Sequence, residues 1–188
     1  MPQTVWTIGH STRTLDELIR ILKHFGIEAV VDVRIIPRSR TNPQFDKDAL
    51  GPALEQAGID YVHMKDLGGL RRPRKDSTNT GWENESFRGY ADYMQTPLFE
   101  QALAGLVDLA KRKHTVIMCA ETLPWHCHRS LIADALVARG FDVIDIFSED
   151  ESRPHKLTSF ARVEDGKVTY PALFTRNVNN ALNAPDYV

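Results

Sequence analysis

His114-Thr-Val-Ile-Met-Cys119, then Ala120-Glu-Thr-Leu-Pro-Trp-His126, then Cys127-His-Arg-Ser-Leu-Ile-Ala-Asp-Ala-Leu-Val-Ala-Arg139 read without a break as strand, turn and helix. The first run is short and apolar, as a buried strand is, and Leu131, Ile132, Ala135 and Leu136 then recur at helical spacing. The turn between them holds Cys119, Glu121, His126, Cys127, His128 and Arg129, and no other segment is this rich in ligand, nucleophile and acid/base types. A strand that passes through such a turn into a helix is the βα step of an α/β protein, and ligands bind at those turns.

The same grammar extends in both directions. Val5-Trp-Thr-Ile8 reads as a strand, and Thr14-Leu-Asp-Glu17 has the capping-box spacing that satisfies free amides at a helix start. Leu15, Leu18, Ile19, Leu22 and Phe25 give that helix its apolar stripe, Gly26 stops it, and Ile27-Glu-Ala-Val-Val-Asp-Val33 is the next strand. Helix, glycine and strand recur at residues 47–57, Gly58 and 59–63, and again up to Arg139, at Gly140 and at 141–146. Thr96-Pro97 opens a long helix with Phe99, Ala102, Leu103, Leu106, Val107 and Ala110 on one face.

Alternation of this kind predicts an α/β fold: a three-layer, Rossmann-like sandwich with a mostly parallel sheet of about five strands and helices on both faces. Phe160-Ala-Arg-Val163 and Lys167-Val-Thr-Tyr170 flank Glu164-Asp-Gly166 and predict a small C-terminal hairpin. Residues 1–175 form one domain on this reading, and 176–188 a draped tail.

The chain has 188 residues, a net charge of -2 and a pI near 6.4. It is therefore no global electrostatic binder of nucleic acid, although a local basic patch can still hold a phosphate backbone. No apolar run approaches the roughly 18 residues of a membrane helix, and no leader pattern opens the chain. These features predict a cytoplasmic protein with no membrane partner, in which Cys119 and Cys127 stay reduced, although the two together could form a redox pair.

If the strands are parallel, their carboxyl ends share one edge, which gathers His10 and Ser11, then Asp32, Arg34 and Ser39, then Gly68 and Gly69, then Cys119 and Glu121. Arg34 offers a planar fork to a phosphate or carboxylate, with Asp32 orienting it or serving as a base; an internal Asp32–Arg34 salt bridge is the plainer alternative. Glu121 is the best general acid or base, and Cys127 and Cys119 are candidate nucleophiles. Cys127, His128 and Arg129 fall at a helix start, where the dipole favours anions and lowers thiol pKa values.

Residues 66–88 make a long loop containing Arg71-Arg-Pro-Arg-Lys75, Trp82 and Phe87, suited to a phosphate chain or a nucleic-acid strand, or simply to solvent. Tyr90 and Tyr93 stand one turn apart at its end, placed to pack or to stack on a ligand.

Known templates fit only in part. Structural zinc needs two knuckles of ligand pairs, absent here, so no metal is assigned. A cysteine phosphatase wants His-Cys, five residues and then Arg, and at that last position this chain has Ala133. Sulfurtransferases of the rhodanese type share the strand-Cys-loop-helix order and an Asp-Val-Arg strand, but the loop from Cys119 to Arg129 is longer than theirs and lacks their glycine.

Thr7-Ile-Gly-His-Ser11, Asp32-Val-Arg34, Leu67-Gly-Gly69, Gly89-Tyr-Ala-Asp-Tyr-Met94 and Cys119-Ala-Glu121 through Pro124 to Cys127-His-Arg129 together resemble the bacterial family called domain of unknown function 488. Pro154-His155 and Gly166-Lys-Val-Thr-Tyr170 resemble its ending. The resemblance implies an α/β domain with a cluster at these positions, and no activity.

The expectation is an enzyme, hydrolase or transferase, acting on a small anionic, phosphate-bearing, nucleotide-like substrate held by Ser11, Arg34, Ser39, Gly68, Gly69, Tyr90, His128 and Arg129. Glu121, Cys127, Cys119, Asp32 and His10 would carry the chemistry, with the cofactor unknown. A noncatalytic nucleotide or nucleic-acid module using residues 71–75 is one alternative, and a metal-binding, thiol-redox or sulfurtransferase-like protein another.

Overall fold

The computed structural model describes residues 3–172, so the expected tail at 176–188 lies outside the described residues. Six strands form one sheet in the order β3-β2-β4-β1-β5-β6: β1 (Thr4–Gly9), β2 (Ala29–Asp32), β3 (Asp60–His63), β4 (Thr115–Cys119), β5 (Asp142–Ile146) and β6 (Ser152–Pro154). The first five run parallel; β6 pairs antiparallel with β5. β7 (Arg162–Glu164) and β8 (Lys167–Thr169) make the small separate hairpin that their sequence signalled.

Helices α1 (Leu15–His24) and α2 (Lys47–Gln56) cover one face. Leu18, Ile21, Leu22, Leu50 and Leu54 pack there on Ile8, Val30, Val116, Met118 and Ile146. The other face carries α3 (Glu85–Tyr93), α4 (Pro97–Ala110) and α5 (Arg129–Ala138), with Leu103, Leu106, Leu131 and Leu136 against Val5, Val31, Ile117 and Val143. Successive strand side chains point to opposite faces, so each continuous apolar run feeds both cores. Thr14 and Thr96 cap α1 and α4. Gly26, Gly58 and Gly140, each at positive φ, end three helices before a strand.

Two elements depart from the sequence expectation. Helix α3 occupies the end of what reads as loop, its start capped by Asn84, whose side chain accepts from the Ser86 and Phe87 amides. Its central glycine disguises it, yet a Cβ at Gly89 would sit 2.1 Å from the Arg71 carbonyl oxygen, so the crossing backbone demands that residue. Strand β6 has three exposed residues and, among the described residues, one partner, too little periodicity to register as a strand.

Candidate functional site

Helices α1 and α5 leave the adjacent strands β1 and β4 toward opposite faces of the sheet, which opens a crevice beyond their carboxyl ends. Gly9 pairs with Cys119 in register there. The His10 amide then donates to the Cys119 carbonyl and the Ser11 amide to that of Ala120, so the ladder continues past the strands and fixes the start of the turn. A Cβ on Gly9 would stand 1.8 Å from the Glu121 carbonyl oxygen. The Gly-His-Ser step thus accommodates the turn's own backbone, with Ser11 at φ 51°.

A cleft of about 290 Å³ opens at this point, lined by Arg34, Gly69, Tyr90, Glu121, His126 and His128 together with both cysteines. Cys119 and Cys127 are free thiols, and the Cys127 S–H donates to Cys119 Sγ at 2.9 Å. Arg129 is 1% exposed; its Nη1 donates to Cys119 Sγ at 3.3 Å and to the Glu121 carbonyl, and its Nη2 to the Thr122 carbonyl. Among the described residues no carboxylate pairs with this guanidinium, and its Nε is buried without a hydrogen-bond partner.

A buried cation with no carboxylate favours whatever anion forms beside it. The Cys127 S–H and the Arg129 guanidinium hold the Cys119 thiol down at about 7, against burial, which pushes it up. Cys127 moves the other way, its ionised form disfavoured by the neighbouring Cys119 and by burial. Its sulfur instead accepts from the Arg129 amide at the first turn of α5.

Next to the thiols, Asp32 and Arg34 form the internal salt bridge, buried and bidentate, at 2.9 and 2.7 Å. Tyr61 Oη donates to Asp32 at 2.5 Å, and Arg34 also donates to the Phe45 carbonyl and to His10 Nε2. Four of the five guanidinium donors are thereby engaged within the chain. His10 Nδ1 contacts the Ser11 carbonyl and so carries the proton, which leaves Nε2 to accept from Arg34. Burial, with Arg34 nearby, keeps that ring neutral by lowering its pKa.

His128 bonds the Val33 carbonyl through Nε2, and burial pushes it down to about 4. Gly69 lies under its ring, where a Cβ would be 2.9 Å from Nδ1, while Gly68 lies against Ile35. Tyr90 is buried, donates to the Leu67 carbonyl and leaves its ring 4.9 Å from that of His128. Glu121 has an exposed side chain at the cleft. Ser39 is turned into its own loop, accepting from Asn42 and bonding Asp46, and does not line the cleft.

Leu70, Ser86, Phe87 and Ala120 complete the lining; Phe87 lies in the loop that the sequence singles out, whereas Ser86 escapes that reading because α3 does, and Asn84 at its cap was the available signal. In the basic stretch, Arg71 stacks over Tyr93 at 3.7 Å and donates to the Gly68 carbonyl. Arg74 pairs with Asp76. Arg72 and Lys75 are exposed.

A second polar cluster lies further along α5. Asp134, fully buried, accepts from His155 Nε2, from Thr158 through both amide and hydroxyl, and from Tyr170 Oη. Asp145 accepts from Thr7 Oγ1 and His155 Nδ1. Burial opposes the charge on His155, but the two carboxylates outweigh it and raise its pKa to about 9.

The chain belongs to the family described as Domain of unknown function DUF488, which matches residues 14–136. No curated protein and no solved structure matches it. Among the described residues no helix is long and apolar enough to cross a membrane.

Proposed function

We propose that this protein is a thiol-dependent enzyme, a transferase or hydrolase, whose nucleophile is the Cys119 thiolate. One observation carries the reading: the buried guanidinium of Arg129 meets Cys119 Sγ and, among the described residues, no carboxylate. An inert buried cysteine has no use for such a partner, whereas a nucleophile needs its thiolate kept populated near neutral pH. Cys119 forms a bond to the electrophilic centre of the substrate while the leaving group departs with the bonding electrons. The Glu121 carboxylate, on the same cleft, then takes a proton from the water or acceptor that releases the group and restores the thiolate.

The substrate we propose is small, since the cleft lies at the low end of small-molecule sites. An anionic, phosphate-like group on it would meet the remaining Arg34 donor and the exposed His126. A reducing, cytoplasmic setting belongs to the same proposal, because both thiols must stay free.

Alkylation tests it. Rates with iodoacetamide, located by mass spectrometry, should put the Cys119 midpoint near pH 7, and iodoacetate should gain on iodoacetamide relative to free cysteine. A midpoint at the ordinary thiol value of about 8.5 would sink the nucleophile, and a relative disadvantage for iodoacetate would remove the anionic substrate.

A further inference from the structure

We infer that Cys119 and Cys127 form a resolving pair: Cys119 reduces a hydroperoxide, and Cys127 closes on the product to give a readily reducible disulfide that switches the nucleophile off. The inference rests on the thiolate reading above and adds a reaction and a regulator to the same site.

The geometry is unusual for two cysteines without a task. They are the only two in the chain, lie eight positions apart, come from different elements, and hold their sulfurs 2.9 Å apart at the wall of an open cleft. Disulfide formation needs the sulfurs to close to about 2.05 Å, a small movement at a turn. Cys119 is fixed at the end of β4, whereas Cys127 follows the short turn of 3-10 helix at Pro124–His126.

The chemistry balances in two steps. Cys119 thiolate attacks one oxygen of the hydroperoxide, the O–O bond breaks, a proton goes to the departing oxygen, and Cys119 sulfenic acid and an alcohol or water result. The Cys127 thiol then attacks that sulfur, and the S–O bond breaks with release of water. Two thiols and one hydroperoxide become a disulfide and two hydroxylic products. Two equivalents of a small thiol of the glutathione class, by successive exchange, restore both cysteines and leave as their own disulfide.

Arg129 sets the poise of this couple. In the reduced protein its guanidinium faces a sulfur that can carry the charge; in the disulfide neither sulfur can, and a buried cation is left without an anion. Stabilising the reduced partner in this way makes a disulfide oxidising and short-lived in a thiol buffer. A structural cross-link would have the opposite character.

The test uses the full chain and hydrogen peroxide in slight excess. Loss of both titratable thiols, a mass two daltons lower, recovery with glutathione and dimedone labelling of Cys119 in Cys127→Ser are expected. Arg129→Met should yield a disulfide that survives glutathione concentrations at which the wild type is reduced. Two thiols persisting after peroxide, or Cys119 running on to sulfinic acid with Cys127 intact, would overturn the pair even if alkylation places Cys119 near pH 7. A Cys119 midpoint near 8.5 would instead overturn the thiolate reading on which both rest. A disulfide equally reducible in wild type and Arg129→Met would overturn the role of Arg129.

Discussion

Two buried clusters hang from α5, one at its first residue and one about a turn further on, and they are built on opposite terms. Around Asp134 every charge has its partners: two carboxylates share one imidazolium, and a tyrosine and two threonines supply further donors. Around Arg129 a full positive charge is met, among the described residues, only by a thiol and two carbonyls, and its buried Nε–H has no partner. Closed networks of the first kind tie elements together, here α5, β5, β1 and the C-terminal segment. Open ones persist where the unpaired group does chemistry. The cleft follows the second pattern.

The contrast breaks most easily at Asp134. Replacing it with Ala strands His155, Thr158 and Tyr170 at once, and should cost about 3–5 kcal/mol in urea denaturation, as the loss of one partner of a buried pair does. At pH 6.5, below the Cys119 midpoint, Cys119→Ser should leave stability nearly unchanged. Equal losses in the two variants would erase the distinction.

The pH dependence sharpens it next, because the clusters respond with opposite sign. His155 has a folded pKa of about 9, above its ordinary value. Its contribution is therefore fully present below about pH 6.5 and is lost as pH rises through 9, amounting to roughly 3 kcal/mol. Cys119 is depressed to about 7, so its contribution is present above the ordinary thiol value and is lost as pH falls through 7. Urea midpoints across pH 6.5–8.5 should fall more steeply in Cys119→Ser than in wild type, and should rise in His155→Gln.

The smallest effect lies between the two. Ser130 Oγ donates to the Cys127 carbonyl at 2.9 Å, and Ser130→Ala should cost about 1 kcal/mol. Neither the Cys119 alkylation midpoint nor the pH slope of stability should move, since neither cluster loses a member. A shifted midpoint would mean that the turn, rather than Arg129, sets the thiol.

Much of this was legible in the chain because it is local. Thr14, Thr96 and the three helix-ending glycines act through neighbours a few residues away, and strand-helix alternation requires parallel crossovers. The reactive turn was visible as a concentration of residue types on one segment. Helix α3 escaped because its glycine answers to a distant carbonyl, that of Arg71, and local propensity penalises what tertiary contact requires. The Asp134–His155–Asp145 cluster escaped because nothing about an aspartate in a helix announces a histidine 21 positions later.

The amino-acid order alone settled most of the elements, though not α3 or β6, together with the parallel sheet and the edge at which His10, Arg34 and Cys119 would emerge. It was silent on which strands are neighbours and on where each side chain turns. Placing β1 beside β4 brings Gly9 under Glu121 and Cys119 into the crevice, and packing α5 on that face drives Arg129 inward to the thiol. Those outcomes belong to the tertiary structure, because they depend on contacts between segments remote in the chain, where no local periodicity or propensity acts.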